Sequence, residues 1–270
     1  MSGENNFYKG KLLSENSSFA INEAFKMLRT NLFYTAKGEK CPVYGITSTF
    51  AHSGKSLIIS NLAVSFAQLE KKVLLIDCDL RKSMVHKVFD IDKAEGISEL
   101  LASADSSIDK YIKKTKYPNL SIITAGGMPP NPAELLASAR MGKFLEFMKQ
   151  HFDIIFIDLP PVAIVTDAVV ITEHVTGYLY VVRSRLDDAK SLRNALSTME
   201  QMDANIIGLV LNDVDPKSSR YGRYGKYGKY GKYGGKYGKY SSYGSYGYGY
   251  GYGYGYGYGH NKAEFPEDEE

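Results

Sequence analysis

Cysteine is scarce in this chain, with only Cys41 and Cys78 among 270 residues. So few thiols exclude a disulfide framework, and Cys78 lies in an apolar run between two aspartates, so a reducing compartment is expected. Long apolar runs are missing as well. Asp153, Asp158 and Asp167 interrupt the longest candidate, and no stretch reaches the ~20 residues that span a bilayer. The opening residues, MSGENNFYKGKLL, carry no apolar signal-peptide core. These absences predict a cytoplasmic protein, soluble by itself, that reaches the inner face of the cell membrane only through a partner.

Aliphatic side chains nearly vanish after Pro216, and acidic ones are absent from 216 to 259. That stretch holds eight Lys/Arg, a formal +8, whereas residues 260–270 set Lys262 against five acids for −4. With +3 overall, residues 1–215 carry about −1. The basic excess therefore belongs to the tail, and no nucleic-acid partner is expected. A segment without aliphatics has nothing to offset its ordering entropy, so it is expected to be disordered. The sequence thus predicts a flexible start over 1–15, one domain over 16–215 with a substantial core, and a disordered tail over 216–270. The tail divides into a Tyr/Gly/Lys cluster at 216–259 and an acidic end at 260–270.

Within the domain, short β-branched runs alternate with helical patterns. Strands are expected at 43–48, 73–77, 120–124, 154–158, 178–182 and 206–211, several of them apolar on both faces, as in a parallel sheet covered on both sides. Helices are expected at 55–68, 141–151 and 189–202, and a further one at 20–34 with Ile21, Phe25, Leu28 and Leu32 as its apolar stripe and Ser17 or Ser18 as its cap. The alternation predicts an α/β fold, a mostly parallel P-loop NTPase-like sheet flanked by helices. Ligands of such folds gather at the carboxyl ends of the strands.

The chemistry-bearing residues fall at those ends. Gly54-Lys55-Ser56 matches the last three positions of G-x-x-x-x-G-K-[ST], with Thr49 where the first glycine normally stands. Gly54 lets backbone N–H groups turn toward an anion, and the new helix adds partial positive charge. Lys55 would reach the β- and γ-phosphates, with Ser53 and Leu57 flanking the loop, and the Ser56 hydroxyl would ligate Mg²⁺. Two strands end in acids: Asp77 and Asp79 close one, Asp158 another. A carboxylate is costly inside a sheet, so these belong at its edge, where a cation offsets the penalty. Taken singly, Asp77 or Asp158 could simply cap a turn. Together with the phosphate loop they point to a nucleotide–metal site.

This set resembles that of the bacterial tyrosine kinase family, cytoplasmic P-loop kinases tied to polysaccharide synthesis and export. The matching elements are Gly54-Lys55-Ser56, Asp77-x-Asp79-x-Arg81, Asp158-x-x-Pro161, the run from Gly126 to Leu136, and Thr166-Asp167-Ala168. The resemblance spans about residues 20–215 and the tail. It implies ATP and Mg²⁺ as cofactors, with Lys55 and Ser56 on phosphate and metal, Asp79 and Asp158 organising the metal, and Asp77 accepting the proton of an incoming tyrosine. Arg81 would contact phosphate or brace the acidic pair, and Asn212 matches a position that contacts adenine. Glu23, Lys26 and Arg29 stand where the family has E-x-x-R-x-x-R, a helix that joins subunits into a ring such as an octamer. The family also implies a transmembrane adaptor that activates the kinase and a cognate tyrosine phosphatase. Two departures stand out: Ala51-His52 replaces Pro-Gly in the loop, and Lys26 replaces an arginine, keeping the charge but losing the guanidinium fork.

Fifteen of the 22 tyrosines crowd the tail: Tyr221, Tyr224, Tyr227, Tyr230, Tyr233, Tyr237, Tyr240, Tyr243, Tyr246, Tyr248, Tyr250, Tyr252, Tyr254, Tyr256 and Tyr258. On an isolated tail they would suggest adhesive or RNA-binding low complexity. Attached to this domain they become expected autophosphorylation sites, presented to a neighbouring subunit. At about −1.5 to −2 per phosphate, five modifications would exceed the positive charge of the tail. The expected activity is therefore an ATP-dependent tyrosine autokinase regulating capsule or exopolysaccharide assembly. A non-kinase ATPase switch of the partitioning or septum-positioning type is the alternative, although those usually carry an early P-loop lysine that residues 47–50 lack. A scaffold with a degenerate P-loop is a third reading.

Overall fold

The computed structural model describes residues 11–14, 16–36, 38–103 and 107–214. The fifteen tail tyrosines and both parts of the expected tail lie outside the described residues. In chain order the elements are α1 (Phe19–Thr35), β1 (Val43–Ser48), α2 (Lys55–Ala67), β2 (Val73–Asp77), α3 (Val85–Phe89), α4 (Ile97–Ala102), β3 (Lys113–Lys114), β4 (Leu120–Ile123), α5 (Pro132–Leu136), α6 (Ala139–Met148), β5 (Ile154–Asp158), β6 (Gly177–Arg183), α7 (Ala189–Gln201) and β7 (Ile206–Asn212). The strands form one sheet in the order β3-β4-β2-β5-β1-β6-β7. Its neighbouring pairs are parallel except β3–β4, which is antiparallel.

Alternation along the strands divides the core in two. Val43, Leu74, Ile76, Ile155 and Ile157 face α6 and α7, whereas Tyr44, Ile46, Leu75, Phe156 and Val181 face α2. Successive side chains of a strand point to opposite faces, so a doubly covered sheet needs apolar residues at nearly every position. β1, β2 and β5 are buried throughout. Helix α2 is buried around most of its circumference, because it lies between the sheet and α1. Caps define the other helix starts: Ser18 accepts from the Ile21 amide of α1, Ser138 from Met141, and Asp188 from Lys190 and Ser191.

The mostly parallel α/β sheet is as expected, and the six predicted strands are present. What the pattern misses is short. α3, α4 and α5 span five or six residues, less than two helical turns, so no period of 3.6 can be counted in them. β3 is a pair of lysines paired with β4, and the Lys113 ammonium also donates to the carbonyls of Asp92 and Ala94 and to the Thr124 hydroxyl. The stripe of α1 needs correction: Leu32 is buried and Phe25 and Leu28 pack on the α2 side of the core, but Ile21 is exposed. The first turn of α1 overhangs the core it was expected to cover. Both cysteines are buried and free. Among the described residues no helix is long and apolar enough to cross a membrane.

Candidate active site

The phosphate loop runs from the end of β1 into α2. Gly54 sits just before the helix at φ 95°, in the left-handed region. A Cβ there would lie 2.3 Å from Asn212 Nδ2, so both conformation and space call for glycine. His52 also adopts positive φ, at 65°. The loop accordingly keeps a left-handed turn at this position and carries the steric cost of a Cβ there. Thr49, at the position of the missing first glycine, is fully buried and shares a 2.9 Å hydrogen bond with the Tyr180 hydroxyl of β6. Ser53 folds the loop back by donating to the Phe50 carbonyl at 2.8 Å. Lys55 is buried at the first position of α2, Ser56 is half-buried behind it, and Leu57 packs partly on the core.

The acidic side lies one and two strands away. Asp77 and Asp158 are direct register partners on β2 and β5, and Ile46 of β1 pairs with Asp158 from the other side. Both carboxylates are fully buried, yet their surroundings differ. Asp77 Oδ1 accepts the Asp79 amide at 3.2 Å, and Oδ2 accepts the amides of Met84 at 3.2 Å and Val85 at 3.0 Å. Burial pushes its pKa well above the ordinary carboxylate range, and the charges of Asp158 and Asp79 add to this against the backbone donors. Neither oxygen of Asp158 accepts a hydrogen bond of ordinary geometry among the described residues. Burial raises its pKa to about 7, Lys55 and the nearby Ser56 hydroxyl pull it down, and Asp79 pushes it up. Asp79 is almost fully buried and accepts the Lys82 amide at 2.9 Å. Cys78, between the two acids, is an inert thiol whose pKa burial drives well upward.

Arg81 points elsewhere. Its guanidinium grips buried Asp167 in a two-pronged contact, Nε to Oδ2 at 2.8 Å and Nη2 to Oδ1 at 3.1 Å. This ties the acidic loop to the Thr166–Ala168 turn, so Arg81 braces the loop and not the acidic pair itself. Among the three α1 residues, Lys26 pairs with Glu23 on its own helix at 2.8 Å. Arg29 donates to the Ser65 carbonyl and hydroxyl of α2 at 2.7 and 3.0 Å. Asn212, ending β7, donates to the Ser53 carbonyl at 2.9 Å.

The structure therefore gathers Ser53, Gly54, Lys55, Ser56, Asp77, Asp79, Asp158 and Asn212 at one edge of the sheet, with Glu23, Lys26 and Arg29 away from it on α1. Sequence reasoning missed Tyr180 and Arg183 of β6, and Lys82, whose ammonium lies 3.1 Å from His52 Nε2. A charge closing the apolar run of β6 was the one available signal for Arg183. Among the described residues no group of three or more His, Cys, Asp or Glu is arranged to hold an ion alone. The Asp158 oxygens, which accept no hydrogen bond of ordinary geometry among the described residues, lie near the Ser56 hydroxyl, a donor set that a divalent cation with waters and phosphate oxygens could complete.

The AAA domain family model matches residues 51–184. The putative tyrosine-protein kinase CapB of Staphylococcus aureus is 35% identical over 203 residues, which cover 74% of this chain and 89% of that protein. The chain belongs to the bacterial tyrosine kinase family. Another member, tyrosine-protein kinase etk of Escherichia coli (strain K12), is 36% identical over 208 residues, 77% of this chain but only 28% of that protein. The chain thus spans little more than a quarter of that longer relative. Among solved structures, the kinase domain of Escherichia coli tyrosine kinase ETK superposes with a TM-score of 0.70 at 37% identity, covering 73% of this chain and 77% of that domain. The chimerical protein CapA2B2 also gives 0.70, at 32% identity, covering 74% and 88%. The septum site-determining protein MinD of Pyrococcus horikoshii OT3, complexed with Mg-ADP, reaches 0.54 at 21% identity over 68% of this chain and 72% of its own. That level shows a shared fold alone. Family membership thus favours the kinase over the septum-positioning switch.

Proposed function

We propose that the chain is an ATP- and Mg²⁺-dependent protein-tyrosine kinase that phosphorylates its own tail tyrosines in trans and regulates capsular or exopolysaccharide synthesis. The observation that carries this reading is Asp158, a fully buried carboxylate whose oxygens accept no hydrogen bond of ordinary geometry among the described residues, close to Lys55, Ser56 and Asp79. A buried polar group without a partner is costly. Mg²⁺ held by Asp158 would relieve that cost and would offset charge on the nucleotide phosphates. Ser56, Asp158 and Asp79 would hold the metal, and Lys55 and the loop amides would hold the phosphates.

Asp77 is the residue proposed to accept the proton when a tyrosine oxygen attacks the γ-phosphorus and ADP leaves. A phenol of pKa ~10 is a poor nucleophile at neutral pH. A carboxylate whose proton affinity is raised by burial and by two neighbouring acids is better matched to it than an ordinary one. Three backbone donors hold Asp77 in place and leave about one of its four acceptor sites for that proton.

Arrangement in a ring through Glu23, Lys26 and Arg29, a membrane adaptor, a cognate phosphatase and a cytoplasmic location belong to the same proposal. It is supported by the relatives named tyrosine-protein kinase. The test is incubation of the full chain and its Lys55→Met variant with labelled ATP and Mg²⁺, followed by mapping of labelled residues. Label on tail tyrosines of the parent, reduced at least ~10²-fold in the variant, is expected. Released phosphate with no labelled protein, in the presence of the adaptor, would overturn the kinase reading.

A further inference from the structure

The carbonyls of the phosphate loop are gripped from outside by two residues far away in sequence. Arg183, the last residue of β6, donates from Nη1 to the His52 carbonyl at 3.2 Å, while its Nε holds Asp213 at 3.1 Å. Asn212, the last residue of β7, donates to the Ser53 carbonyl at 2.9 Å. The two contacts fall on consecutive peptide groups. In a planar trans peptide the C=O and the following N–H point in opposite directions. Fixing the carbonyls of His52 and Ser53 toward β6 and β7 therefore turns the amides of Ser53 and Gly54 the other way. Among the described residues neither of those amides has a hydrogen-bond acceptor. Donors left open in this manner at a loop-to-helix junction are what an anion binds.

We propose that Arg183 and Asn212 are positioning residues that pre-orient the phosphate-loop amides, with Asp213 holding the guanidinium of Arg183 in place. This role rests on the nucleotide reading above. It also gives Asn212 a function distinct from contact with the adenine ring. The Asn212 side chain lies so close over Gly54 that a Cβ would meet its Nδ2, which places the amide against the phosphate end of the site. Preorganised amides have no reorientation cost to meet when the ligand arrives, so loosening them weakens whatever binds through phosphate.

The experiment measures displacement of a fluorescent ADP by ADP and by inorganic pyrophosphate, with Mg²⁺ present, for the full chain and three variants: Arg183→Ala, Asn212→Ala and Asp213→Asn. Melting temperatures confirm that each variant is folded. Both ligands are expected to lose affinity to a similar extent, about tenfold for the first two variants and less for the third. Asp213→Asn separates bracing from simple charge. It leaves the local charge more positive, so an electrostatic role for Arg183 predicts unchanged or tighter pyrophosphate binding, and that result would overturn the proposal. If Asn212→Ala weakens ADP but leaves pyrophosphate alone, Asn212 contacts adenine and the proposal fails for that residue. Variants that all bind like the parent would overturn it entirely. A parent chain that binds no nucleotide would instead refute the reading on which it rests.

Discussion

On the β6–β7 side of the mouth, side-chain donors reach for backbone carbonyls of the phosphate loop. On the β2–β5 side the polarity is reversed, and backbone amides reach for a side-chain carboxylate. The first arrangement leaves amides open, suited to an anion. The second concentrates acids, suited to a cation. Within the acidic side a finer contrast appears between register partners: Asp77 accepts three backbone amides, whereas among the described residues neither oxygen of Asp158 accepts a hydrogen bond of ordinary geometry, with only the Ser56 hydroxyl nearby. The pair teaches that burial alone does not define a role. Backbone donors fix the orientation of Asp77 and leave little of it open, whereas the carboxylate of Asp158 is open to a cation.

Substituting each of the two acids by asparagine breaks this contrast most directly. Asp158→Asn is expected to reduce tyrosine phosphorylation by ~10³-fold while raising the melting temperature of the metal-free protein near pH 7.5. The sign follows from its pKa, raised to about 7 in the folded chain. Such a group favours the folded state at acid pH, and this stabilisation is lost as pH rises from about 4 through 7. In EDTA, melting temperature should therefore fall across that window in the parent and fall less in Asp158→Asn. Asp77→Asn sets two effects against each other: removing a carboxylate of raised pKa favours the folded state near pH 7.5 just as it does at Asp158, but here the three backbone donors oppose the gain, and we expect them to outweigh it. Its amide group would face backbone donors, at a cost of about 2 kcal/mol, lowering the melting temperature by roughly 4–8 °C. Equal effects of the two variants on stability would remove the distinction between them.

Arg81→Ala ranks next. It leaves the carboxylate of Asp167 buried without its ion-pair partner. Because the Arg81 side chain is 38% exposed, water can replace part of the contact, so a loss of about 1–2 kcal/mol in denaturant unfolding is expected, with Arg81→Lys recovering only part of it. The smallest effect belongs to the phosphate loop. His52→Gly relieves a left-handed residue and should raise stability by about 0.5 kcal/mol, readable as a rise of roughly 1–2 °C. A loss of stability there would mean that the contact of His52 with Lys82 outweighs the backbone strain.

Most of the fold was legible because several strands are apolar on both faces, and β2, β5 and β7 end in an acid or asparagine. That pattern marks both the strands and the sheet edge at which ligands collect. Gly54-Lys55-Ser56, Asp77, Asp79 and Asp158 could be placed at that edge for the same reason. The short α3 could not be read, and its first amide is one of those that bind Asp77. The destination of Arg81 was also hidden, since Asp167 is 86 residues away and nothing local marks it as a partner.

By itself the sequence determined the alternation of strands and helices, the acidic ends of β2 and β5, the phosphate loop after β1 and the concentration of tyrosine in the tail. These are local facts, set by side-chain period and by what a turn requires. Only the tertiary structure decided how the acids divide their roles and what holds the phosphate loop. Pairing of β2 with β5 brings Asp77 beside Asp158, and the ends of β6 and β7 bring Arg183 and Asn212 to carbonyls 131 and 159 residues earlier. Hydrogen bonds between groups so far apart depend on sheet order, which no local pattern encodes.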